Sequence, residues 1–172
     1  TASTVMAEGG SVTATARGDI TYNAAITANK EIALQSTDGN IVSAPVGDAY
    51  LDAGAHIALQ AENGNLGSAD NVLRIVNQKA AAIDATAKNA WLTGIANTSG
   101  ENTDTMTLQT IRVDNEFKAE SEGNLKVNEA TDENGATITS VEAGTVDLTA
   151  AKGIIVDGAV TAEDDVTAKA RS

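Results

Sequence analysis

The chain has 172 residues, a net charge of −13 from 24 acidic and 11 basic side chains, and only 2% aromatic residues. The charge argues against a nucleic-acid binder, which needs a basic footprint on phosphates. The lack of cysteine rules out disulfides and thiolate metal sites, and no apolar run approaches the roughly 18 residues of a membrane span. Phe117, Tyr22, Tyr50 and Trp91 are the only aromatics, so the core must be thin and built from Ile, Val, Leu and Ala. Abundant Thr, Asn, Gly and Ser suit short strands and tight turns.

Taken in chain order, the first predicted strand unit carries Val12, Ala14, Ala16, Gly18 and Ile20 on an alternating pattern. Tyr22 is in phase with Ile20 and Ala24 and is expected in the core. Next comes Glu31–Ala44, EIALQSTDGNIVSA, and 25 residues later His56–Ala69, HIALQAENGNLGSA, identical at eight of fourteen positions. The single proline, Pro45, falls between strands, where a missing amide hydrogen does least harm. Gln78–Ala90 would be a helix on propensity alone, but the alternation of Ile83, Ala85 and Ala87 predicts a strand. Two polar stretches, 97–105 and 128–137, break the period and are expected to project as loops. Phe117, Ala119, Gly123, Leu125 and Val127 give a looser unit, and Thr145–Val156, TVDLTAAKGIIV, a closer one. Val166, Ala168 and Ala170 still alternate at the end, so a fragment of a longer repetitive shaft is expected.

Two periods therefore coexist. Alternation within a unit marks strands with one buried face, and recurrence at 20 residues (Val12 to Ile32, Val146 to Val166) or 25 (Ile32 to Ile57) marks a repeat architecture. Each unit is too small to bury its own face and must stack on its neighbours. The expected fold is all-β, a right-handed parallel β-helix (β-solenoid) of about 20–25 residues per coil. Seven or eight coils would fit residues 1–172 as a single segment. Leucine-rich and helical repeats lack their frames here, and a β-sandwich would space its strands at about 8–12 residues without self-similarity.

Gly47–Ile75, GDAYLDAGAHIALQAENGNLGSADNVLRI, resembles the coil grammar of filamentous-haemagglutinin-type adhesins, and most of all giant filamentous adhesins of the leukotoxin-like group. Gly64, Leu66, Gly67, Ser68, Asn71, Leu73 and Ile75 match that family's G-x-I-G-[ST]-x-x-N-x-L-x-I step, with Val72 where the family often has proline. Ala90-Trp91-Leu92-Thr93-Gly94 is similar to its next strand. The resemblance spans about Gly18–Ala130 and implies a secreted, surface-attached bacterial fibre whose shaft is a spacer without catalytic residues. It implies a host surface protein or glycan as partner. Other copies of the chain, stacked end to end, are a further expected partner, since uncapped strand edges template pairing.

Each candidate site has a plain structural reading beside the functional one. Arg17-Gly18-Asp19 spells an integrin-type tripeptide, yet Gly18-Asp19-Ile20 is also the turn that the repeat demands, leaving only Arg17 unexplained. Tyr50 and Trp91 each precede an inward Leu, so their rings face out, as glycan or partner contacts or as rings lying over neighbouring side chains. His56, the only histidine, stands where the sister unit has Glu31 and is expected to be a solvated turn residue rather than a general base. Asp38, Asp48, Asp52, Asp132, Glu133, Asp164 and Asp165 would bind calcium only if turns stacked several carboxylates. The nonapeptide of calcium β-rolls is absent, so no cofactor is expected. Asn40, Asn65 and Asn124 each follow Gly in a Gly-Asn-Ile/Leu step and are predicted to face inward and form a hydrogen-bonded ladder. No catalytic set is expected; a polysaccharide lyase or tailspike-like module is the alternative class.

Overall fold

The alternating runs form strands, and the small polar residues between them form the corners. The computed structural model describes residues 5–45, 49–76, 81–96 and 104–171, and every regular element there is a β-strand. The first half holds β1 (Val5–Ala7), β2 (Val12–Ala16), β3 (Ile20–Tyr22), β4 (Ile26–Ala28), β5 (Glu31–Ser36), β6 (Ile41–Ser43), β7 (Leu51–Ala53), β8 (His56–Leu66), β9 (Leu73–Val76) and β10 (Ala82–Ile95). The second half holds β11 (Thr105–Val113), β12 (Glu116–Ser121), β13 (Asn124–Val127), β14 (Ala130–Thr131), β15 (Thr137–Ile138), β16 (Val141–Ala143), β17 (Thr145–Ala150), β18 (Ile154–Val156), β19 (Val160–Ala162) and β20 (Val166–Ala170). The all-β, parallel reading of the sequence holds. Ala-rich β10 is a strand because ladder pairing on both edges overrides its helix propensity.

Named strands pair in parallel, apart from the β14–β15 hairpin, and each pairs with a strand one repeat away. In the first half three ladders run side by side. The first stacks Val12, Ile32, Ile57, Ile83 and Leu108 in one column. The second stacks Ile20, Ile41, Leu66, Ala90 and Phe117, and the third stacks Val5, Ile26, Leu51, Ile75 and Gly94. The offsets of 20 and 25 residues seen in the sequence are the registers Val12 to Ile32 and Ile32 to Ile57. Alternate residues are buried, as in β5 and β17, and residues of all three ladders join one hydrophobic cluster. At roughly 25 cal/mol per Å² of apolar area, this continuous column is the main stabilising term.

The ladders change partners at β10 and β11. β11 is bulged: Ile83 pairs with Leu108 but Asp84 with Thr110, leaving Gln109 extra. Beyond the bulge the first ladder divides, with Thr105–Leu108 stacking on β13 and Ile111–Arg112 on β16. The opposite change happens in β10, whose residues 89–90 lie on the second ladder and 92–95 on the third. Both meet the single strand β12. The reason is local. One repeat earlier the chain turns at Gly67, which sits at φ 70°, a conformation that favours glycine. The corresponding Trp91 continues straight through as strand.

This corrects the equivalence drawn between units. Val146 is not in the column of Val12 and Ile32; it lies on Phe117 and Val166, in the ladder that began with Ile20. The stretch expected to loop at 128–137 contains the β14–β15 hairpin, paired Ala130 to Ile138 and Thr131 to Thr137. The expected loop at 97–105 lies outside the described residues up to residue 103, and Thr105 opens β11.

Candidate functional site

The corner between the first and second ladders carries a column of amide side chains. Asp19 Oδ1 accepts from the Asn40 backbone N at 2.7 Å and Nδ2 at 3.2 Å. Asn40 Oδ1 in turn accepts from Asn65 N at 2.9 Å and Nδ2 at 3.1 Å. Asn65 Oδ1 accepts from Asn89 Nδ2 at 2.8 Å, and Asn89 Oδ1 from Glu116 N at 3.2 Å. The glycines before Asn40 and Asn65 have their own cause. A Cβ on Gly64 would stand 2.0 Å from the Gly39 carbonyl oxygen, and one on Gly39 would stand 2.4 Å from Asp19 N. Two expectations are corrected. Asn124 is not in this column but in β13, paired with Thr105, because the ladders have exchanged partners by then. Asn40 and Asn65 are half-buried at the corner, not inside the core.

His56 is also corrected. It is not a solvated turn residue: its Nδ1 lies 3.0 Å from Glu31 Oε1 and its Nε2 2.8 Å from Asp84 Oδ2. Burial alone would lower its pKa, but the hydrogen bonds to Asp84 and Glu31 and the charge of each outweigh burial and raise it above the ordinary value. Asp84 also accepts from Thr110 N across the bulge at 2.8 Å. Part of the signal was in the sequence. Glu31 and His56 share one position of the repeat, and shared positions stack in a parallel ladder. Asp84, at an offset of 28, falls outside the pattern.

Arg17, Gly18 and Asp19 are exposed at the turn after β2, and each has a partner within the chain. Arg17 Nε donates to Asp38 Oδ2 at 2.9 Å, and the Gly18 carbonyl accepts from Ser36 Oγ at 2.8 Å. Asp19 starts the amide column. Tyr50 and Trp91 are half-buried, each before a buried Leu. They are not equivalent: Leu51 shares a row with Ile75 and Gly94, whereas Leu92 shares one with Leu73. The two rings therefore sit two residues out of step and form no common platform.

Trp91 lines a groove of about 200 Å³ with Ala69, Val72, Glu116, Lys118 and Glu120. Its Nε1 is buried without a hydrogen-bond partner. Lys118 Nζ lies 3.0 Å from Glu120 Oε1, whose hydrogen bond and charge raise the lysine pKa. A larger groove of about 440 Å³ follows Thr86, Arg112, Glu142 and Thr161. Arg112 is engaged there, donating from Nη1 to the Ile111 carbonyl at 2.8 Å and from Nη2 to the Thr139 carbonyl at 2.5 Å.

The carboxylates considered for calcium are not brought together: among the described residues no group of three or more His, Cys, Asp or Glu is placed to hold a metal. Asp48 lies outside the described residues. Asp38 pairs with Arg17. Asp132 caps the hairpin, accepting from Asn134 N and Ala136 N at 2.9 Å each, bonds that lower its pKa. Tyr22 is buried, as its phase indicated, with a hydroxyl that has no hydrogen-bond partner; desolvation raises its pKa strongly. Among the described residues no helix is long and apolar enough to cross a membrane. No family model, no curated protein and no solved structure matches the chain.

Proposed function

We propose that this chain is a right-handed parallel β-helix and serves as a non-catalytic shaft segment of a large secreted bacterial surface adhesin or filament. The observation that carries the reading is the register: equivalent residues 20 to 25 positions apart lie side by side in parallel ladders around one apolar column. Crossovers between parallel strands are almost always right-handed. The ladder starting at β2 counts seven strands through β5, β8, β10, β11, β16 and β19, hence seven coils. At about 4.8 Å per coil the rod is roughly 30–35 Å tall. The adhesin assignment is supported by the resemblance across Gly47–Ile75 and Ala90–Gly94, and the acidic surface suits a fibre that must stay soluble.

The partner is a host surface protein or glycan, and the groove at Trp91 is its docking point. An indole face beside a Lys–Glu pair offers stacking to a sugar ring and hydrogen bonds to its hydroxyls. Two measurements test this. Small-angle scattering is expected to give a rod of the stated dimensions, and immobilised chain is expected to retain glycans or host-surface proteins in a Trp91-dependent manner. Turnover of acidic polysaccharides, seen as new unsaturated or reducing ends, overturns the shaft reading. Equal retention by Trp91→Ala overturns the docking point.

A further inference from the structure

Trp91, Lys118 and Asp147 are in register on the adjacent strands β10, β12 and β17. Each lies between two buried neighbours: Ala90 and Leu92, Phe117 and Ala119, Val146 and Leu148. The three side chains therefore share one outward row, because alternate residues of a strand point to opposite faces. Glu116 and Glu120 stand one outward place to either side of Lys118 on β12. The indole thus sits at the head of a surface stretch that holds three carboxylates and one ammonium.

These charges are unevenly committed. Lys118 Nζ is held at 3.0 Å by Glu120 Oε1, which occupies the ammonium and one carboxylate with each other. The hydrogen bond and charge of Glu120 raise the lysine pKa against the opposing effect of burial, and the charges of Asp147 and Glu116 add to the rise. Glu116 also lines the groove and is exposed; its carboxylate has no ion pair among the described residues. The indole has its Nε1 buried, so the ring offers the groove carbon surface and not a donor. At about 200 Å³ the groove is smaller than the roughly 300 Å³ at which sites for whole small molecules begin. Its size suits one group of a larger partner.

We infer that the Trp91 groove receives an arginine side chain from a basic segment of a partner protein, with the guanidinium on the indole and bonded to Glu116. The inference rests on the docking reading of this groove and names which of the two partner classes it fits. An aromatic face attracts a cation placed over it. A guanidinium serves both features at once, since it stacks flat on a ring and forks to a carboxylate. A neutral sugar would gain the stacking but no charge, and an anionic one would meet Glu116, Glu120 and Asp147. The net charge of −13 also draws a basic segment toward this surface from a distance.

The test titrates the full chain into a labelled peptide of alternating arginine and glycine, and separately into a labelled, uncharged oligomer of N-acetylglucosamine, reading fluorescence anisotropy. The peptide is expected to bind, and to bind less tightly as salt rises past about 0.1 M, where charges are screened over about 10 Å. Trp91→Ala and Glu116→Gln are each expected to weaken it about 2- to 5-fold, the effect of one exposed contact of this kind. Trp91→Phe, which keeps a ring, is expected to retain most of the affinity. Glu8→Gln makes the same charge change at an exposed residue outside the groove and is expected to leave binding unchanged. Equal weakening by Glu8→Gln and Glu116→Gln overturns the inference, because net charge alone then explains the binding. If the sugar oligomer depends on Trp91 and the peptide does not, the inference is overturned and the docking point stands. If neither probe depends on Trp91, both are overturned.

Discussion

Replacing Asn65 by Ala tests the amide column directly, with Asn124→Ala as its counterpart. The substitution deletes two side-chain hydrogen bonds, Nδ2 to Asn40 Oδ1 at 3.1 Å and Oδ1 from Asn89 Nδ2 at 2.8 Å. It keeps the backbone bond from Asn65 N to Asn40 Oδ1. A neutral hydrogen bond contributes about 1 kcal/mol net. Because the corner is half-buried, water recovers part of that, and the expected loss is about 1–2 kcal/mol. Asn124 belongs to a different ladder and bonds to no member of the column, so Asn124→Ala is expected to cost less than about 0.5 kcal/mol. With urea m-values of about 1–3 kcal/mol/M, Asn65→Ala shifts the unfolding midpoint by roughly 0.5–1 M. Far-UV circular dichroism follows all strands, and Trp91 fluorescence follows β10, two residues from Asn89; coincident transitions license the two-state treatment. Equal losses for the two variants, or no measurable loss for Asn65→Ala, refute the column as a stabilising element.

Three further outcomes are expected. Phe117 is fully buried between Ala90 and Val146, so Phe117→Ala is expected to lose about 3–5 kcal/mol in the same urea assay. Gly64→Ala drives a methyl into the Gly39 carbonyl and is expected to cost at least about 1–3 kcal/mol, whereas Gly18→Ala, with open space around it, costs under about 1 kcal/mol. For His56, the raised folded pKa means that its stabilisation is fully present below the unfolded value near 6.5 and is lost as pH rises through the folded value. With a third of the side chain exposed, the effect is about 1 kcal/mol or less. Urea midpoints should fall from pH 5.5 toward pH 8.5 in the parent and stay flatter in His56→Gln.

The strands were legible because β-branched and Leu residues alternate, and the parallel stacking because Glu31–Ala44 and His56–Ala69 are identical at eight of fourteen positions. The exchange of ladders was not. TVDLTA at Thr145–Ala150 has the same alternation as EIALQS at Glu31–Ser36, and alternation says which face a residue buries but not which neighbour it meets. Only the straight run through Trp91 and the extra Gln109 decide that. The imidazole between Glu31 and Asp84 was hidden for another reason: the residue in register with His56 is Ala82, and Asp84 lies two places further along β10, so the spacing of the repeat did not point to it.

The exchange of ladders also divides the stack of strands lengthwise into two stretches. In the first the long strands lie at β2, β5 and β8; in the second they lie at β12, β17 and β20, on the ladders that began with β3 and β1. A row of side chains followed along one ladder is therefore interrupted at β10 and β11, so a partner that reads such a row meets two different faces, each only a few strands deep.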